Sequence, residues 1–476
     1  MKQFFKFFLA GFLTMALFLS SAPVPALAED QNTAPSAEWP KPPELESAAA
    51  IVLEASTGSI LYNKNAYDAY YPASTTKLMT SLLAIEQCPL SDIITCSRDS
   101  VESIGWDSSR IGLVTGESID MDNALYAILL ASANEVSYAV AEHIGGTVEN
   151  FVSLMNRRAA DLGCVNTHFV NPHGLDNEEH YSCPYDLALI AKKAIEYTTF
   201  CRVSGSYNHQ IPATNKNDAR WISNTHPFIK KNVVYDGVFA GKTGSTSKAG
   251  NCLVTCAEKN GMTLICVIMK APNSATVQAE TAKLLDYAFD NFTLTPLAAS
   301  EGTFKNAFPV LFEDEEALIS EVSSPLSVSD ASLVLPIGAT YGDLTQKVRL
   351  TPSKIFTAGE NIIGDVEFYF ADNYVGSASI IYHTEEDIIV VPSPTPTVTP
   401  TPVPVETITP EQDTVDNSTE TSNNVSSDPS ETDKRPLIIG LIVGGVVLIA
   451  GFYVVLIELP YRKKKKAYQK KYGRMN

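Results

Sequence analysis

From Pro436 to Leu459 the chain reads PLIIGLIVGGVVLIAGFYVVLIEL, an apolar run whose sole charged residue is Glu458. It is long enough to cross a bilayer, and it is apolar on every side, which a core helix rarely is. The tail beyond it, YRKKKKAYQKKYGRMN, is strongly basic and should stay cytoplasmic, leaving everything before Pro436 outside. Residues 392–435 are dominated by Pro, Thr, Ser, Asn and acids. Such a segment cannot bury a core and reads as a stalk, with a reach on the order of 130 Å if extended. At the other end, Lys2 and Lys6 precede an apolar run to about Leu19 and a small-residue site, Ala26-Leu27-Ala28. This pattern predicts a secretory signal peptide over 1–28, with an uncleaved anchor as the alternative. Folding is thereby confined to the residues between a loose leader, 29–43, and the stalk.

Export bears on the cysteines. All eight lie between Cys88 and Cys266, in a setting that permits disulfides. Cys88 with Cys96, and Cys256 with Cys266, are candidate bridges whose pairing the sequence leaves open. The cysteines form no Cys-x-x-Cys, and the seven histidines show no ligand spacing, so neither a metal site nor a cofactor is expected. The net charge of −19 argues against nucleic acid as a partner, since phosphate binding needs clustered Lys and Arg.

Within residues 44–292, two apolar runs flank Ser56-Thr57-Gly58, and two more flank Asn260-Gly261; both read as β-hairpins. Between them lie stretches with helical rhythm: Leu78, Leu82, Leu83 and Ile85, then Leu125, Ile128 and Leu129. Strands at both ends with helices between predict a mixed α/β domain, an antiparallel sheet with a helical region. Residues 293–391 change character to short β-like runs between turns and predict a small all-β domain, followed by the stalk (392–435), one transmembrane helix (436–459) and a basic tail (460–476).

Three segments carry chemistry. YPASTTKLMT places Ser74 three residues before Lys77, so on a helix the two share a face. A serine hydroxyl attacks only when a base takes its proton, and a lysine held in a dry cleft can be that base. LLASANEVS holds Ser132-Ala133-Asn134, and GVFAGKTGSTSKAG holds Lys242-Thr243-Gly244. Ser-x-x-Lys recurs at Ser245 to Lys248, where a solvated turn is the plain reading. Ser-x-Asn recurs at Ser206-Tyr207-Asn208, a fallback, and at Ser422-Asn423-Asn424 in the stalk, which is set aside. Lys-Thr-Gly occurs once.

Ser-x-x-Lys, Ser-x-Asn and Lys-Thr-Gly, in that order, are the three elements of the serine penicillin-binding enzymes. With IVLEASTGSILYNKNAYDAYYPASTTKLMT and NPHGLDNEEHYSCPYDLALIAKKAI, the chain from about Glu44 to Phe292 resembles the low-molecular-weight penicillin-binding proteins, the D-alanyl-D-alanine carboxypeptidases. The resemblance implies a β-lactamase/DD-peptidase-like fold. It implies that Ser74 attacks the penultimate D-alanine carbonyl of a peptidoglycan stem peptide ending D-Ala-D-Ala, with Lys77 as base and Ser132 relaying a proton to the leaving amine. Asn134 would hold the substrate amide, and Lys242 and Thr243 the terminal carboxylate. Gly244 would let the substrate backbone lie close, and the N–H groups of Ser74 and Ser245 would receive the oxyanion. β-Lactam antibiotics would acylate Ser74 and leave slowly.

Ala133 stands where β-lactamases of the best-known class carry Asp, so that label fits less well. The other alternative is a non-catalytic wall-binding or adhesive protein. The histidines of NPHGLDNEEHYS, His173 and His180, are expected to order a loop. Glu135 is a conceivable base that need not face Ser132. The protein is expected at the cell membrane, single-pass, with its catalytic part outside the cytoplasm.

Overall fold

The computed structural model describes residues 38–297, 326–351 and 355–389, which belong to one compact unit. The expected signal peptide, most of the leader, the stalk, the Pro436–Leu459 segment and the basic tail lie outside the described residues. Among the described residues no helix is long and apolar enough to cross a membrane.

Five antiparallel strands form the central sheet: β1 (Ala49–Glu54), β2 (Ile60–Lys64), β7 (Val238–Thr246), β8 (Gly250–Lys259) and β9 (Met262–Ala271), in the order β2-β1-β9-β8-β7. Two short pairs lie in the connections: β3 (Ile93–Thr95) with β4 (Ser118–Asp120), and β5 (Asn208–Ile211) with β6 (Arg220–Ser223). The first and last parts of the domain thus share one sheet.

β1 is buried along its whole length because both faces are covered. Ala49, Ile51 and Leu53 join one core, Ala50 and Val52 the other, as the two-residue strand period dictates. The first core meets a helical layer: α1 (Lys77–Gln87), α2 (Arg98–Glu102), α3 (Met121–Leu129), α4 (Asn134–Gly145), α5 (Val148–Asp161), α6 (Pro184–Ile195) and α7 (Thr198–Ser204). The second core meets α8 (Ser274–Asn291) through Leu284, Leu285 and Ala288. Each fully buried Leu or Ile contributes roughly 1.5–3 kcal/mol. α1 lies inside the helical layer, with Lys77 to Ala84 all buried. It stops at Cys88, whose extended backbone suits the residue before Pro89.

Asn260 and Gly261, both at positive φ (53° and 78°), turn β8 into β9. That tight turn decides the cysteine question. It pairs Cys256 with Ile265 and Thr255 with Cys266, so the two thiols point to opposite faces of the sheet. All eight cysteines are free, and neither candidate bridge forms.

The chain then continues through β10 (Phe292–Pro296), which pairs with β12 (Ser332–Pro336). A four-stranded sheet comes next, ordered β11-β16-β15-β13 from β11 (Leu326–Val328), β13 (Leu344–Leu350), β15 (Gly359–Phe370) and β16 (Asn373–Thr384), with a small pair of β14 (Ile355–Phe356) and β17 (Ile388–Ile389). Its core centres on Leu333, Val366, Phe368 and Ile380. Trp39 packs on both Phe292 and Phe370, with ring centroids 4.9 and 6.4 Å away, and so ties this β-rich part to the α8 side of the main sheet.

Candidate active site

Ser74 lies on a single 3₁₀ turn, Ala73–Thr76, that runs straight into α1. A 3₁₀ turn has three residues per turn, so side chains at i and i+3 eclipse. The result is tighter than the α-helical spacing expected from the sequence: Lys77 Nζ sits 2.9 Å from Ser74 Oγ. The turn is entered through Ala73 at φ 48°, a left-handed conformation that costs a non-glycine residue energy.

Lys77 is completely buried, and its amine has two further neighbours: it donates to Asn134 Oδ1 at 2.7 Å and to the His173 carbonyl at 2.6 Å. Burial, then the nearby charge of Lys242, hold its pKa well below the ordinary lysine value, against the opposing pull of Glu135. A neutral amine has two N–H donors and one lone pair. The amide oxygen of Asn134 and the carbonyl of His173 can only accept, so they take both donors. In the neutral form the lone pair is left for the Ser74 hydroxyl, the one neighbour able to donate. The amine is thus oriented to receive the serine proton.

Asn134 opens α4, and its own N–H donates to the Ser109 carbonyl at 2.9 Å. With its side-chain oxygen committed to Lys77, its amide nitrogen remains for a ligand. Ser132, in the joint between α3 and α4 at φ 59°, accepts from Lys242 Nζ at 3.0 Å. Lys242 also donates to the Thr243 carbonyl at 2.9 Å, and burial lowers its pKa to about 7. The site therefore holds two buried lysines, each against a serine hydroxyl: Lys77 at Ser74 and Lys242, on β7, at Ser132.

Gly244 comes next but one on the same strand. A Cβ there would come within 2.9 Å of the Pro72 carbonyl and 3.1 Å of the N–H nitrogens of Ser74 and Thr75, so only glycine lets β7 lie against the serine turn. Ser74, Ser132, Thr243, Gly244 and Ser245 line one cleft of about 320 Å³, together with Ser109 and Thr225. The Thr225 and Thr243 hydroxyls are 2.8 Å apart. All eight residues singled out in the sequence thus lie in the cleft wall or in the hydrogen-bonded layer behind it.

Among the described residues the competing motif matches do not assemble there: Ser245 lines the cleft, but its partner Lys248 does not. Ser206 Oγ donates to the Arg202 carbonyl, and Asn208 begins the small strand β5. Lys248 lies exposed over the Tyr71 ring, 4.0 Å from Glu178. Glu135 turns from Ser132 and accepts the N–H groups of Ile111 and Gly112, at 2.8 and 3.0 Å. His180 bridges Thr76 Oγ1 and the Val170 N–H, and burial pushes both His173 and His180 down to about 3. Both rings are neutral and structural.

Four contributors escaped the sequence reading: the His173 carbonyl, Ser109, Thr225 and Gly174. At Gly174 (φ 86°) a Cβ would lie 1.8 Å from the Ala73 carbonyl. Asn171 Oδ1 accepts the Gly174 N–H at 2.6 Å, closing the turn that delivers the His173 carbonyl to Lys77. The Asn-Pro-His-Gly string was the available signal, since Asn and Gly at such spacing mark a tight turn.

Fold and site together define a mixed α/β serine-enzyme architecture in which a buried lysine, not a histidine, faces the serine. Comparison with known proteins gives the same class. The family model described as D-alanyl-D-alanine carboxypeptidase matches residues 36–273. D-alanyl-D-alanine carboxypeptidase DacF of Bacillus subtilis is 38% identical over 257 residues, covering 53% of this chain and 64% of that protein, just under two thirds of its length. D-alanyl-D-alanine carboxypeptidase DacA of Haemophilus influenzae is 31% identical over 296 residues, 60% of this chain and 70% of that protein. Among solved structures, penicillin binding protein 5 from Haemophilus influenzae superposes with a TM-score of 0.58 at 25% identity, covering 72% of this chain and 98% of that one. The chain belongs to the D-alanyl-D-alanine carboxypeptidase family.

Proposed function

We propose that the protein is a serine-type D-alanyl-D-alanine carboxypeptidase that removes the terminal D-alanine from peptidoglycan stem peptides. The observation that carries this reading is the buried Lys77 amine, which lies 2.9 Å from Ser74 Oγ and has Asn134 Oδ1 and the His173 carbonyl as its two other partners.

Ser74 Oγ attacks the carbonyl carbon of the penultimate D-alanine, and its proton passes to Lys77 Nζ. The negative charge that develops on the carbonyl oxygen is met by the N–H groups of Ser74 and Ser245; one such donor is worth about 10²–10³ in turnover. As the C–N bond breaks, Ser132 relays the proton held by Lys77 to the departing amine of D-alanine, which leaves Lys77 neutral again. Lys242, which touches Ser132 Oγ, and Thr243 hold the terminal carboxylate. Asn134 holds the substrate amide through its free nitrogen. Water then attacks the Ser74 ester, giving up a proton to Lys77, which returns it to Ser74 Oγ as the ester bond breaks and the shortened peptide leaves. A β-lactam presents a strained amide and a carboxylate to the same groups and forms the same ester.

The sequence supports a membrane tether: signal peptide, all-β domain, Pro/Thr-rich stalk, one transmembrane helix and a basic cytoplasmic tail would hold the catalytic part above the outer face of the cell membrane. The test is release of D-alanine from a pentapeptide ending D-Ala-D-Ala. Wild type releases it and Ser74→Ala does not; equal release by the variant rejects the nucleophile. A penicillin adduct on Ser74 that survives for minutes supports the carboxypeptidase, and one hydrolysed in seconds supports a β-lactamase.

A further inference from the structure

At the carboxyl ends of α1 and α4, Cys88, Asp92 and His143 bring one sulfur, one carboxylate oxygen and one imidazole nitrogen within 4.8 Å of one another. Sequence spacing hides this group, because His143 lies on α4 while Cys88 and Asp92 flank the turn after α1. The geometry points to a divalent transition-metal site, with Zn²⁺ as its best-matched ion, that clasps the carboxyl ends of α1 and α4.

Three observations support it independently. The donor set of thiolate, imidazole and carboxylate is one that zinc accepts, and three protein ligands leave a fourth tetrahedral position for water. His143 Nε2 and Asp92 Oδ2 are direct hydrogen-bond partners 3.3 Å apart, a separation that an inserted ion would keep. Two ligands at zinc bond lengths, subtending a tetrahedral angle, are separated by ~3.4 Å. The ligands also sit where a cation is favoured: Cys88 is the C-cap of α1, and His143 lies in the last turn of α4, so two helix carboxyl ends converge there. Asp92 is anchored by its backbone, its N–H donating to the Pro89 carbonyl and its carbonyl accepting from Met121. Cys88 is half-buried against the main core, so its sulfur is held rather than free.

α1 begins with Lys77 and α4 with Asn134. At 1.5 Å per residue, the clasp sits roughly 15 Å from those side chains. A metal there would fix the far ends of the two helices that deliver them, and would act on stability rather than on the chemical step.

The test uses the full chain in detergent, without a polyhistidine tag and stripped of metal. Titration calorimetry with Zn²⁺ should give one saturable site per chain, with the melting temperature rising as metal is added. Cobalt(II) should develop the thiolate charge-transfer band of a tetrahedral sulfur-ligated ion. Cys88→Ser and His143→Ala should each lower zinc affinity by at least about 10- to 100-fold, the loss that even outer-shell changes produce. Cys164→Ser, altering another half-buried thiol, should bind as wild type does. Absence of saturable binding overturns the proposal, as does binding that survives Cys88→Ser and His143→Ala unchanged. Should either variant fail to fold, the cobalt spectrum of the wild type decides, and a spectrum without the thiolate band overturns it.

Discussion

Raising the pH tests the proposed carboxylate clamp without altering a residue. Lys242 is wholly buried, and burial lowers its pKa to about 7, so the empty cleft is only half cationic at neutral pH. A substrate carboxylate at ~4 Å, in an effective dielectric of ~20, favours the charged amine by about 4 kcal/mol, roughly a thousandfold. Lys242 is therefore half-charged in the free enzyme and almost fully charged in the complex. The quotient kcat/KM reports the free enzyme, and kcat the complex. Above pH 7, kcat/KM should fall about tenfold per pH unit, while kcat holds for about three more units. Lys77 must be in the opposite state, neutral, and its pKa is lowered further by the charge of Lys242 itself. At one working pH the base must be neutral and the clamp charged, two opposite demands on two buried lysines.

The assay is D-alanine release from a D-Ala-D-Ala peptide across neutral to alkaline pH. Calorimetry of a carboxylate inhibitor in buffers of differing ionisation enthalpy would accompany it. At about one pH unit above the free-enzyme value, binding should take up close to one proton, since roughly nine in ten Lys242 amines start neutral. A kcat/KM that stays level for two units above neutrality, together with binding that takes up no proton, refutes the clamp.

Two more outcomes rest on packing. Gly174→Ala would set a Cβ 1.8 Å from the Ala73 carbonyl, at φ 86°; it should cost at least about 3 kcal/mol, read as a lower melting temperature, and should slow penicillin acylation of Ser74. Gly163→Ala, also at positive φ but with nothing within 4 Å, is the control and should cost only about 1 kcal/mol. Because all eight cysteines are free, with Cys256 and Cys266 on opposite sides of the sheet, denatured protein should titrate eight thiols with or without reductant; fewer than eight without it reveals a bridge and contradicts this arrangement.

Much of the sheet was legible because its signals are local. Asn260-Gly261 prescribes a two-residue turn, and the apolar runs beside it prescribe strands. The Cys256–Cys266 bridge, left open by the sequence, fails on the register of this turn: it pairs position 259 with 262 and so, counting back, 256 with 265. The side chain at 266 must then face the other way. The 3₁₀ turn at Ser74 was not legible, since helical propensity does not distinguish it from the first turn of α1. The His173 carbonyl was invisible for a different reason: a backbone group has no residue identity, and only the folded turn shows where it points. Ser109 and Thr225 are ordinary loop residues until tertiary packing brings them to the cleft.

The site's local irregularities share a cause. Ala73 and Ser132 are non-glycine residues at positive φ, one immediately before the nucleophile and the other the proposed proton relay. Each costs of order 1–3 kcal/mol and persists only where neighbours over-determine it. At Ala73 the neighbours are the bare α-carbon of Gly174 on one side and that of Gly244, against the same turn, on the other. At Ser132 they are Lys242 Nζ on the side chain and, one residue on, the Ala133 N–H held by the Ala127 carbonyl. A relaxed helix through Ser74, or a continuous helix through Ser132, would satisfy local preference and turn both hydroxyls from the cleft. Rigid strands and buried helices on all sides hold these two joints in the strained form, and that form is what brings Ser74, Ser132 and both lysines to one cleft.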